Sequence, residues 1–171
     1  MSSLKIVTYP DPFLKGPTRP VETIDGALQS LADNMTETMY QASGVGLASI
    51  QVGNDQRLII IDEYPGETDR QSPIVLVNPR IVERHGSVLS EGEGCLSVPD
   101  FRADVKRAAA VVVEAFDRHG KPIRLERDDF LAIVLQHEID HLEGTLFIDR
   151  ISALKRNLYK RRVEKQMRAN G

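Results

Sequence analysis

Gln136-His137-Glu138-Ile139-Asp140-His141-Leu142-Glu143-Gly144 is the stretch on which the reading of this chain turns. His137 and His141 are four residues apart, so on a helix both imidazoles leave the same face and can meet at one metal ion. Glu138 is then free to exchange a proton with a water held at that ion, which is the arrangement of a metal-assisted hydrolase. The bland alternative is a surface helix that carries two histidines by accident. With four His in 171 residues, two of them flanking a Glu at this spacing speaks against it. Just upstream, Asp128 or Asp129 can cap the helix, and Phe130, Leu131, Ile133, Val134 and Leu135 give it the apolar body of a buried element.

A hydrolytic centre of this kind takes a third protein ligand and leaves one position open. The pattern H-E-x-x-H-x-x-G-x-x-H is matched at Gly144 but has Phe147 in place of its last His. Glu164, the distant acidic candidate, lies among lysines and arginines and reads as a solvated helix residue. Cys95 is the only cysteine; without a second one in the chain it is either core filler or a soft metal ligand.

Three blocks carry a wider resemblance: Gly44-Val45-Gly46-Leu47-Ala48-Ser49-Ile50-Gln51, Glu93-Gly94-Cys95-Leu96-Ser97, and the block from Gln136 to Gly144. In order and separation they resemble the signature motifs of peptide deformylases, of the bacterial type with a C-terminal helix. The opening from Ile6 to Pro12, the Val77-Asn78-Pro79 segment, Arg102, Arg107 and the run from Asp117 to Pro122 are similar as well, so the likeness extends over residues 4–165. Ser49 departs from the pattern, which usually has Ala there. Glu91, in Ser90-Glu91-Gly92-Glu93-Gly94, stands where an apolar residue can occur and is expected at the cleft edge.

The resemblance implies a role for each matching residue. Cys95, His137 and His141 would hold one divalent ion, Fe(2+) in the first place, with Zn, Ni or Co able to substitute. Glu138 would act as general base and then general acid. The Leu96 backbone N–H and the Gln51 amide would donate to the oxyanion. The substrate would be an N-formylmethionyl nascent peptide, from which formate is released. An unbranched thioether suits an irregular apolar pocket, for which Val45, Phe130, Ile133 and Val134 are the expected lining. The backbone at Gly44 and Gly46 would pair with the peptide as an added strand, with Gly94 on the opposite wall. Taken singly, Gln51 reads as the polar end of a strand, Gly44 and Gly46 as turn residues, and Phe130, Ile133 and Val134 as ordinary core.

Composition agrees with one catalytic domain over residues 1–171: 41% hydrophobic and 27% charged residues suit a substantial single core. One cysteine argues against a disulfide-stapled secreted scaffold. The opening residues lack the apolar core of a signal peptide, and no apolar run approaches a membrane span, so the expected location is cytoplasmic, with neither DNA nor membrane as a partner.

Coarse periodicity predicts a loop over 10–23, a helix over 24–42, strands over 47–61 and 74–82, a strand over 88–98 around Cys95, and a hairpin from 109–116 and 122–126. The expected fold class is α+β: antiparallel or mixed sheets packed around a central metal-binding helix, with N-terminal and C-terminal helices. The last helix, 152–169, carries Lys155, Arg156, Lys160, Arg161, Arg162, Lys165 and Arg168 against Glu164, although the whole chain is net −3. Leu154, Leu158, Val163 and Met167 form a stripe expected to dock it. Such a charge run is ordinarily a solvated face; the resemblance makes ribosome contact the alternative. His85 and His119 read as exposed turn residues, and Arg102 and Arg107 as supports for carboxylates near the site. Two other classes stay open, a metallopeptidase with a different third ligand and a silent metal-holding module, though the latter needs neither Glu138 nor Gln51.

Overall fold

Asp25 accepts a hydrogen bond from the Leu28 N–H and so starts α1, Gly26–Gln41, in the computed structural model, which describes residues 2–171. The chain continues through β1 (Gly46–Ala48), β2 (Leu58–Asp62), β3 (Pro73–His85), β4 (Val88–Cys95), β5 (Val98–Arg107), β6 (Ala110–Phe116) and β7 (Pro122–Arg127) to α2 (Phe130–Leu142) and α3 (Ala153–Asn170). Five strands form one sheet in the order β1-β2-β3-β6-β7, and β4 with β5 makes a separate ribbon. All these strand pairs are antiparallel. Among the described residues the one parallel contact is an isolated bridge between Arg19 and Gln56.

β2 explains the layering. Its sequence Leu-Ile-Ile-Ile-Asp is buried at every position, because it lies between helices on both faces of the sheet. Ile59 and Ile61 point into a core shared with Leu131, Val134, Leu135, Ile139 and Leu142 of α2. Leu58 and Ile60 point the other way, onto Leu28, Ala32, Met35 and Met39 of α1. A third cluster, with Leu14, Val98, Val105, Phe147, Tyr159 and Val163, ties the ribbon to the C-terminal segment.

Asp129 is the residue that caps α2, accepting from the Leu131 N–H. The helix ends at Leu142, and the chain turns away at Gly144, whose φ of +74° and close approach to Lys15 both demand glycine: a Cβ there would lie 2.5 Å from the Lys15 carbonyl oxygen.

Four local expectations are corrected. Residues 47–61 are not one strand: a 3-10 turn over Ser49–Val52, followed by an Asn54 side chain accepting from the Gln56 N–H, folds β2 back on β1. The segment from Val98 to Arg107 is a full strand that periodicity missed, because the ribbon alternates only loosely between buried and exposed residues. The 10–23 loop contains a 3-10 turn, Pro12–Lys15, capped by Asp11. The docking stripe of α3 is also different. Leu154, Leu158 and Met167 are exposed, and the helix docks through Tyr159 and Val163.

Candidate active site

Glu93 and Cys95 are two apart on β4, so the strand repeat sends both side chains to the same face, and one turn of α2 sets His137 and His141 opposite them. The Cys95 Sγ lies 3.3 Å from His141 Nε2, and Glu93 Oε1 lies 2.7 Å from His137 Nδ1. One donor atom each from Cys95, His137 and His141 fall within 4.8 Å of one another. Register shifts around Glu93, where Gly92 adopts φ +61°, bend the ribbon here and aim the cysteine at the helix.

The electrostatics fit a cation. His141 is buried, and burial together with the charges of His137 and Arg107 lowers its pKa well below the usual value, leaving a neutral imidazole with a lone pair to give. Burial alone would lower His137 too, but hydrogen bonds with Cys95 and Glu93 outweigh it and raise that imidazole well above its ordinary range, so positive charge is drawn to the centre of the cluster. Burial pushes Glu138 up to about 7, and its Oε2 has no hydrogen-bond partner among the described residues, nor does His141 Nδ1. A cysteine sulfur, two imidazoles and an adjacent carboxylate with one oxygen unpartnered form a donor set suited to a borderline divalent metal and its water.

Support lies behind His137. Burial would raise Glu93, but hydrogen bonds from His137 and Arg107 win and hold its carboxyl at about 2. Arg107 reaches Glu93 with Nε and Nη2 and Asp140 with Nη1. Phe147, which occupies the place of a third histidine in the longer zinc pattern, stacks on the His137 ring with centroids 6.1 Å apart. It therefore packs against the His137 ring and offers no ligand atom itself.

In front of the cluster runs a cleft of about 870 Å³ between the Ser43–Gly46 segment, the ribbon from Ser90 to Leu96 and the exposed side of α2. Gly44, Val45, Gly46, Gln51, Gly94, Cys95, Leu96, Phe130, Ile133, Val134, His137 and Glu138 all line it; His141 sits behind, almost fully buried. Gln51 is buried with its amide held in one orientation: Oε1 accepts from the Ala48 N–H at 2.9 Å, and Nε2 donates to Ser97 Oγ at 3.1 Å, its second hydrogen turned toward Cys95 Sγ at 3.6 Å. The 3-10 turn after β1 thus brings the amide beside the Cys95 sulfur.

A sequence profile described as polypeptide deformylase matches residues 3–157. The chain belongs to this deformylase family. It is 52% identical over 168 residues to a peptide deformylase of Desulfosudis oleivorans, covering 98% of this chain and 96% of that relative. The crystal structure of a peptide deformylase from Legionella pneumophila superposes with a TM-score of 0.89 at 46% identity, covering 99% of this chain and 98% of that one. A peptide deformylase from Ehrlichia chaffeensis in complex with actinonin superposes with a TM-score of 0.88 at 37% identity, with 97% and 98% of the two chains covered. As a deformylase, the chain is a hydrolase, and its α+β fold with a C-terminal helix is that of solved family members.

The fold brings together the residues that the sequence singles out; of the two histidines set aside as exposed turn residues, His119 is one, whereas His85 is exposed but ends β3, paired with Ala110. Arg107 proves to be a buried support for carboxylates, whereas Arg102 is exposed and donates to the Gly92 carbonyl beside Gly94. Glu93, Asp140 and Phe147 were missed as supports of His137. For Glu93 a signal was present: it stands two residues before the cysteine, at strand spacing. Glu91 does lie on the cleft wall, and the Ser49 hydroxyl is turned away from the cleft to donate to the Gln56 carbonyl.

Proposed function

We propose that the chain removes the formyl group from N-formylmethionine at the amino terminus of newly made proteins and releases formate. The observation that carries this reading is the Cys95–His137–His141 cluster with the Glu138 carboxylate beside it, its Oε2 unpartnered among the described residues, at the floor of an open peptide-sized cleft. Cys95, His137 and His141 hold the metal, Fe(2+) in preference, with Zn, Ni or Co able to take its place. When bound, such an ion supplies Lewis acidity and acidifies water toward neutral pH.

The chain's own residues do the rest. Glu138 takes the proton from the attacking water and returns it to the departing amine. Gln51 Nε2 and the Leu96 N–H donate to the oxygen that becomes negative as the formyl carbon turns tetrahedral. The methionine side chain lies against Val45, Phe130, Ile133 and Val134, and the peptide backbone pairs along Gly44–Gly46 on one side and Gly94 on the other. Exposed Phe130 and half-buried Ile133 form the lip, and buried Val134 the floor.

Residues 1–171 act as one catalytic domain in the cytoplasm, where nascent chains emerge. The helix at 152–169 presents Lys155, Arg161, Arg162, Lys165 and Arg168 on exposed positions, a surface suited to ribosomal phosphates. Removing residues 153–171 and following co-sedimentation with ribosomes across salt tests that contact; undiminished binding rejects it. The catalytic reading is tested by formate release from a formyl-Met-Ala peptide, with acetyl-Met-Ala as the control that should not react.

A further inference from the structure

The acid that holds His137 is itself held. We infer that Asp140 is a positioning residue for the metal cluster: it orients Arg107, Arg107 orients Glu93, and Glu93 sets the His137 ring, with Arg150 anchoring Asp140 from outside. This inference rests on the reading of Cys95, His137 and His141 as a metal centre.

The chain of contacts is continuous. Arg107 commits Nε and Nη2 to the two oxygens of Glu93, and its remaining terminal nitrogen, Nη1, donates to Asp140 Oδ2 at 2.7 Å. Asp140 accepts two further bonds from Arg150, Nε to Oδ2 at 2.6 Å and Nη2 to Oδ1 at 2.8 Å. The side chains of Arg107, Glu93 and Asp140 are 3%, 6% and 13% exposed, so little water is at hand to replace a lost partner. Two guanidinium groups and two carboxylates balance in charge. Without the Asp140 carboxylate, the one carboxylate of Glu93 would stand against two guanidinium groups, leaving a net positive charge in the network and a weaker acceptor, or none, for the buried Arg107 Nη1. Arg107 could then no longer hold Glu93 in one orientation.

That orientation matters at the ring. Glu93 Oε1 against His137 Nδ1 fixes the tautomer and leaves Nε2 facing the cluster, and such outer partners tune a ligand's affinity for metal. Asp140 lies between His137 and His141 in the motif yet faces away from the cleft-lining residues, toward the turn Phe147–Arg150 that leads into α3. The relay thus connects the root of the C-terminal helix with a metal ligand.

The test uses the full chain, stripped of metal and titrated with cobalt(II), reading both the dissociation constant and the visible absorption bands. Asp140→Asn should raise the dissociation constant about 10- to 100-fold and shift the bands. Arg150→Gln, at a side chain 44% exposed, should move both in the same direction by less. Arg19→Ala, in an exposed pair with Asp55, should match the unaltered protein. A lower melting temperature with unchanged affinity and bands in both variants would make the relay purely structural and overturn the inference. If Asp140→Asn fails to fold, Arg150→Gln decides, and native affinity and bands would reject the relay. If the unaltered chain takes up no cobalt, the metal reading falls and the inference with it; uptake that the variants leave unchanged rejects the inference alone.

Discussion

Gly46 stands directly against Glu138: a Cβ added to the glycine would lie 2.9 Å from Glu138 Cγ and 3.0 Å from Val134 Cγ1. The first motif thus meets the proposed general base at contact distance, and even one methyl group must displace it. Gly46→Ala should lower kcat by about 10²-fold, the cost of roughly 1 Å of misplacement, while metal content stays at the native level. Formate release alongside metal analysis checks this. Native turnover would show that Glu138 tolerates the shift.

Glu138 is raised to about 7 by burial in the absence of metal, and a cation in the cluster pulls it back down. As a base it must be ionised, so the acid limb of the kcat/KM profile should fall below 7 in the loaded enzyme. Glu138→Gln should lose activity at every pH. A limb that survives in Glu138→Gln belongs to another group.

Gln51→Ala should reduce kcat about 10²- to 10³-fold through loss of an oxyanion donor. Its amide also bonds the Ala48 N–H and Ser97, so some stability is lost as well. The discriminating readout is kcat against KM. A change confined to KM would place Gln51 in substrate binding alone.

Glu93 gives the site an acid limit. Its folded pKa of about 2 lies below the ordinary 4.5, so between these values the unfolded chain binds the extra proton. Stability from this group is complete above about pH 4.5 and is lost as pH falls toward 2. Urea unfolding of the metal-free protein at pH 7 and pH 3 should show this loss, and Glu93→Gln should flatten it. Glu93→Ala should cost about 3–5 kcal/mol at pH 7, because Arg107 is left buried without its main partner.

The His-Glu-x-x-His motif and the capped apolar helix were legible because each has a strong local signature, a four-residue spacing and a helix repeat; the buried strand at 58–62 was legible only as part of a longer 47–61 strand, because the intervening 3-10 turn carries the apolar Ile50 and Val52. The Val98–Arg107 strand was not. It sits in a two-stranded ribbon with much of its surface in water, so Pro99, Asp100, Arg102, Asp104 and Lys106 mask its alternation. The docking face of α3 was misread for a related reason. Its buried contact is aromatic, Tyr159 stacking on Phe101 at 4.6 Å, while three of the four residues in the apparent stripe face solvent. The relay behind His137 joins residues 93, 107, 140 and 150, and only the folded chain brings these together.

Cys95→Ser should sharply weaken metal binding while leaving the fold intact, because the cysteine is half-buried and its loss leaves no cavity. Anaerobic uptake of nickel(II) by the two proteins checks this. Equal uptake would remove the sulfur from the ligand set and reopen a peptidase-like centre.

The most direct measurement is formate release from formyl-Met-Ala by protein purified without oxygen and loaded with iron(II) or nickel(II), beside Glu138→Ala loaded in the same way. The account predicts rapid release by the first and none by the second, with equal metal in both. Metal bound in both proteins and formate from neither would contradict it.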